Sequence, residues 1–134
     1  MKPVCYNLVR DLPHTLNAGK AMAQVHHAGS RIAHKYKEGS YSILQETLYE
    51  NWIEEADGFG TVIVLEPVLE EQILELTDLG LIEEAPVIVG CVNDPTYPVD
   101  KDLTCMVRTC GYILLDVEKE STLLSKLQQL ELHP

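Results

Sequence analysis

The sequence is short of long apolar runs, aromatic side chains and basic side chains. No hydrophobic stretch approaches the roughly 18–20 residues needed to span a bilayer, so no membrane role is expected. Met1-Lys2-Pro3 runs straight into a strand-like segment without a signal-peptide core, which points to a cytoplasmic location. Aromatics make up only 6% of the residues, with one Trp and one Phe, so an aliphatic core is expected. Four cysteines (Cys5, Cys91, Cys105, Cys110) form no C-x-x-C pair, which excludes zinc-knuckle and thioredoxin-type readings. Three of them lie in apolar, strand-like surroundings, where a buried free thiol is expected. There is no P-loop, no G-x-S-x-G elbow and no Rossmann fingerprint. No cofactor and no metal are expected. His26 and His27 are adjacent, so on a helix they diverge by about 100°. His27 and His34 are interleaved with the cation Arg31, and nothing requires a metal at His14.

What is present is acid. Ten Lys+Arg against 21 Asp+Glu give a net charge of −11, unfavourable for general nucleic-acid binding. The charge is unevenly divided. Residues 1–40 carry six basic and two acidic side chains, and residues 41–134 carry four and nineteen. The first segment is therefore +4 and the remainder −15.

The 134 residues suit one domain. Residues 4–9 read as a strand and 11–17 as a loop, with Asn17 as the N-cap of a helix over 18–37. Met22, Val25, Gly29, Ile32 and Tyr36 mark that helix's apolar stripe, with Ala18 on the same face. A second helix is expected over 42–55, a strand buried on both faces over 61–65, and an acidic helix over 69–79. A strand over 86–92, a polar loop over 93–98, a strand over 105–115 bent at Gly111, and a helix over 121–130 complete the chain. The order β-α-α-β-α-β-β-α predicts an α/β fold: a single compact domain with a small four-stranded mixed sheet flanked by helices. The last two strands suit an antiparallel pair.

The first long helix is the most informative element. Lys20, Gln24, His27, Arg31 and His34 fall within about ±40° of one line along it. Neighbours on such a line sit about 5–6 Å apart at Cβ. Most polar stripes are solvated faces. This one is free of acid in an acidic chain, and it follows a short loop after the first strand, where α/β folds place ligands. The helix N-terminus adds partial positive charge, so an anionic ligand suits it.

Within this helix, Gly19-Lys20-Ala21-Met22-Ala23-Gln24-Val25-His26-His27-Ala28 resembles the G-K-x-A-A-Q-x-x-H-A signature of the peptidyl-tRNA hydrolase 2 family. Val9-Arg10-Asp11-Leu12 is similar to that family's approach to the motif. Met22 stands where the family usually has Ala, and the loop before Gly19 is about two residues longer. Downstream, Asp94-Pro95-Thr96-Tyr97 stands where the family has a D-A-G-x-T-type turn. Asp94 matches, the Gly is missing, and Thr96 takes roughly its place. A following P-G-T element is replaced by residues 98–102.

The resemblance implies metal-independent hydrolysis of the ester between a peptide and the 3′ end of tRNA. It implies catalytic roles for Lys20, His27, Asp94 and Thr96, and substrate binding by Arg10, Asp11, Gln24 and Arg31. Lys20 would position phosphate or stabilise an oxyanion. His27 would relay a proton or hold the terminal adenosine, and Asp94 would orient water or the lysine. Each has a plainer reading: a solvated lysine, a packed histidine, an Asx-turn aspartate before Pro95. Arg10 and Asp11 form a local ion pair or flank the site. The expected partner is the tRNA acceptor end. A homodimer is compatible with the resemblance, although the sequence shows no interface. The alternative is a catalytically diverged module that binds tRNA ends, or a protein partner, without turnover.

Overall fold

The elements follow from the hydrophobic pattern and its punctuation. β1 (Pro3–Arg10) is a run of apolar residues, buried up to Val9. α1 (Ala18–Lys37) starts at Asn17, whose side chain accepts from the Lys20 N–H at 2.9 Å. α2 (Ile43–Glu55) starts at a capping box: the Ser42 hydroxyl and the Gln45 amide each satisfy the other residue's backbone N–H. Then come β2 (Val62–Val68), α3 (Glu70–Leu81), β3 (Ile88–Asp100), β4 (Leu103–Asp116) and α4 (Thr122–Gln128). This computed structural model describes residues 1–12 and 17–134; the expected loop around His14 lies largely outside them.

The four strands form one sheet in the order β2-β1-β4-β3. β1 and β2 are parallel, and the other pairs are antiparallel, so the sheet is mixed. Alternation along the strands sends side chains to two helical layers. Cys5, Val9, Ile88, Val92, Cys110, Tyr112 and Leu114 pack with Ala28, Ile32, Leu48 and Trp52 of α1 and α2. Val4, Tyr6, Leu8, Ile113 and Leu115 pack with Ile73, Leu76, Leu123 and Leu127 of α3 and α4. The α/β class and element order are those expected from the sequence. No helix among the described residues is long and apolar enough to cross a membrane.

Four expectations change. β2 is an edge strand: Ile63 and Val64 pack toward opposite helical layers but are only half-buried and Val62 is 42% exposed, so the β-branched run is not fully buried on both faces. The expected polar loop over 93–98 is strand: β3 continues to Asp100 and pairs with β4 as a long hairpin. α4 ends at Gln128, short of Leu130. The buried face of α1 is Ala21, Gln24, Ala28 and Ile32; Met22 is 68% exposed and Ala18 is exposed. The small side chains of Ala21 and Ala28 let the helix approach the sheet closely, and a Met on that line would hold it off.

The two sheet edges differ. Along β2, Leu65 bridges to Leu132 and the His133 N–H bonds the Val64 carbonyl at 2.8 Å, so the chain's last residues cover that edge. The outer edge of β3 has no strand beside it among the described residues.

Candidate functional site

Two irregularities in the β3–β4 hairpin build the site. Val92 pairs with Cys110, but Asn93 pairs with Arg108, which leaves Thr109 as an extra residue on β4. This bulge turns Thr109 toward α1 together with Cys110. A second shift, between Asp94 and Tyr97, adds a residue on β3. There the Asp94 Oδ1 accepts from the Thr96 N–H at 2.9 Å and from the Thr96 hydroxyl at 3.2 Å. This is the Asx-type turn that an Asp-Pro pair favours.

Asp94 and Thr109 meet at Gln24. The Gln24 Nε2 donates to Asp94 Oδ2 at 3.0 Å, and its Oε1 accepts from the Thr109 hydroxyl at 2.6 Å. Gln24 is 3% exposed and Thr109 fully buried. The amide orientation is forced, because an ionised carboxylate only accepts and a hydroxyl must donate to the remaining oxygen. Gln24 therefore belongs to the buried face of α1, not to the solvated polar stripe. Its polarity there is satisfied at both ends, as a buried amide requires.

The carboxyl of Asp94 is set by opposed effects. Partial burial pushes its pKa up. The hydrogen bonds from Gln24 and from the Thr96 N–H and hydroxyl, with the charge of nearby His27, outweigh that. The result lies below the ordinary carboxylate value, so Asp94 is an anion at neutral pH and a weak base. Three hydrogen bonds leave about one lone-pair direction on Oδ2 to hold a further donor.

A cleft of about 360 Å³ opens beside this turn, lined by His27 and Arg31 of α1 and residues 91–96 of β3. A shallower depression of about 580 Å³ continues along the outer face of α1, past His27, Ser30, Arg31, His34 and Lys37. Arg31 makes no ion pair among the described residues. Under it, burial pushes the Tyr112 phenol up, while the Arg31 guanidinium works the other way. The Tyr112 hydroxyl sits against Gly90, where a Cβ would approach it to 2.3 Å. Only glycine fits there.

Gln24, His27, Asp94, Thr96 and Arg31 thus share one region. Lys20 lies one helical turn before Gln24 and turns toward the hairpin. Its Nζ donates to the Pro98 carbonyl at 3.3 Å and stands 5.4 Å from the Tyr97 ring centroid. Arg10 is elsewhere. It pairs with Glu70 of α3 at 3.0 Å, not with Asp11, and Arg108 holds the other Glu70 oxygen at 3.1 Å. Asp11 is exposed and its N–H bonds the Val68 carbonyl, tying the end of β1 to β2. His34 pairs with Glu38 at 2.9 Å. Thr109 is the residue that reading the sequence missed; only the bulge brings it to Gln24. Among the described residues no group of three or more His, Cys, Asp or Glu side chains could hold a metal ion.

No protein-family model matches the chain, and no curated protein is significantly similar to it.

Proposed function

We propose that the protein is a metal-independent hydrolase of the ester between a peptide and the 3′ end of tRNA, a peptidyl-tRNA hydrolase. The observation that carries the proposal is the Asp94–Gln24–Thr109 chain beside a cleft walled by His27 and Arg31. It ties the two segments that resemble the peptidyl-tRNA hydrolase 2 family, 70 residues apart in sequence, into one site. Ester hydrolysis needs a held water, a proton acceptor and positive charge for the oxyanion and the phosphates.

Asp94 is the water's anchor rather than its base, because its carboxyl is held in the anionic form and nearly saturated. Imidazole is the side chain suited to take a proton near neutral pH, and His27 is the one lining the cleft. Water attacks the ester carbonyl and gives its proton to His27. The tetrahedral oxyanion then collapses, the carbonyl–O3′ bond breaks, and the proton passes to the ribose oxygen. Lys20 neutralises oxyanion or phosphate charge after leaving the Pro98 carbonyl. Arg31 holds a phosphate on the α1 face. Cytoplasmic location follows from this reading.

The engagement of Lys20 with Pro98 and Tyr97 favours a second reading, a module that binds tRNA ends without turnover. Incubation of the folded protein with N-acetylaminoacyl-tRNA separates the two. Release of the N-acetylamino acid, depressed in Lys20→Ala and His27→Ala, is expected. Tight binding with no release would favour the second reading and overturn the first.

A further inference from the structure

We infer that the open edge of β3 is the docking strip for the peptide arm of the substrate, which adds there as an extra parallel strand. This rests on the hydrolase reading for the identity of the ligand and on the fold for the rest. Further back along β3 from the cleft at Asp94 lies a second depression, a groove of about 700 Å³. The groove is lined by residues 86–89, by Leu44 and Gln45 of α2, and by Leu81 of α3. Along β3 the residues lining the two depressions are separated by Gly90 alone. Residues 88–92 pair in unbroken register with β4, so their outward N–H and C=O groups form a regular ladder with no partner strand among the described residues. The opposite edge is already covered by the chain's last residues.

From Asp94 the surface forks into two arms of different chemistry. One runs along α1 over Arg31, His34 and Lys37 and suits phosphates. The other runs along β3 between exposed apolar side chains, Leu44 on one sheet face and Leu81 on the other. A peptidyl-tRNA has these two arms, joined at the scissile ester. Pairing through main-chain groups, with apolar shelves and no deep side-chain pocket, lets a strip accept many peptide sequences. With the ester at Asp94, the peptide runs N-to-C in the direction of β3. At about 3.3 Å per residue, roughly seven residues reach from Asp94 to Val87. There the Gln45 Nε2 caps the Val87 carbonyl at 3.0 Å and closes the ladder. Glu83 and Glu84 line that far end and suit a free α-amino group.

The test uses peptides of one, four and seven residues joined through a stable amide to 3′-amino-3′-deoxyadenosine. Each ladder bond contributes a net factor of roughly two to ten, so affinity should rise by at least about tenfold from one residue to seven. The seven-residue probe should slow hydrogen exchange at the 88–92 amides. It should bind more tightly with a free α-amine than with an acetylated one, and Glu83→Lys/Glu84→Lys should remove that preference. Affinity independent of length, with no protection of 88–92, overturns the inference. Ester substrates of one and seven residues cleaved equally well would leave the hydrolase reading standing without this strip. Length-dependent binding and protection without ester cleavage would do the reverse.

Discussion

Replacing Gln24 by Leu should damage the site and the fold together, and the structure sets the size of the effect. The substitution removes the acceptor of the fully buried Thr109 hydroxyl and one donor to Asp94. A buried hydroxyl left without a partner costs about 1–3 kcal/mol. Asp94 is partly exposed and exchanges Gln24 for water at little cost. A destabilisation of about 2 kcal/mol follows, a fall in Tm of roughly 6–10 °C for a domain of this size. Thr109→Val alone should cost a similar amount, because it strands the Gln24 Oε1. Combined with Gln24→Leu it should cost almost nothing more, because both polar partners are then gone. The assay is urea unfolding of the four proteins as a double-mutant cycle. A coupling of at least about 1 kcal/mol is expected. Strictly additive losses would refute the buried chain, whatever the activity of the variants.

Other consequences are equally direct. Gly60→Ala should lower stability by more than about 3 kcal/mol: its Cβ would approach the Trp52 indole to 2.3 Å at a φ of 74°. The Trp52 fluorescence transition in urea reads this out, and an unchanged midpoint would contradict the packing. Asp94 and Asp116 are both held below the ordinary carboxylate value. At Asp116, burial works upward and is outweighed by hydrogen bonds from the Lys2 and Glu118 N–H groups. Their contribution to stability is therefore complete above the ordinary value and lost as pH falls through the lowered ones. Asp116→Asn should flatten the acid side of the stability curve, and an unaltered slope would be wrong for this account. Binding of a 3′-terminal tRNA fragment should weaken with salt at a log–log slope of about −1.5, from two phosphate contacts at Lys20 and Arg31. A slope near −6 would mean a footprint far beyond α1.

The element order was legible because strand and helix periods alternate cleanly and because caps such as Asn17 and Ser42 act through neighbours a few residues away. The phase of α1 was not. Met22, Val25, Ile32 and Ala21, Gln24, Ala28, Ile32 are both helical stripes, and the choice between them lies with partners 70 and 85 residues from Gln24. The same holds at the hairpin. Asp94-Pro95-Thr96 is a turn by local chemistry, and it is one, but pairing with β4 folds that turn into a strand as a bulge. Thr109 carries no local mark at all, since its orientation depends on a register shift across two strands. The charge division was sound in outline: the cations of residues 1–40 do line α1. Lys2 and Arg10 are the exceptions: Lys2 precedes β1, and Arg10, at the end of β1, pairs with Glu70 of α3.

The central claim is that the Asp94 turn and the His27–Arg31 wall form one ester-cleaving site. The most direct measurement is the single-turnover rate of N-acetylaminoacyl-tRNA cleavage by the wild-type protein and by Asp94→Asn, which keeps the size of the side chain and removes its charge. The account predicts clear release by the wild type and a loss of about 10²-fold in the variant, with the Tm of both proteins recorded alongside. Equal rates in the two proteins, or no release above background from folded wild-type protein, would contradict it.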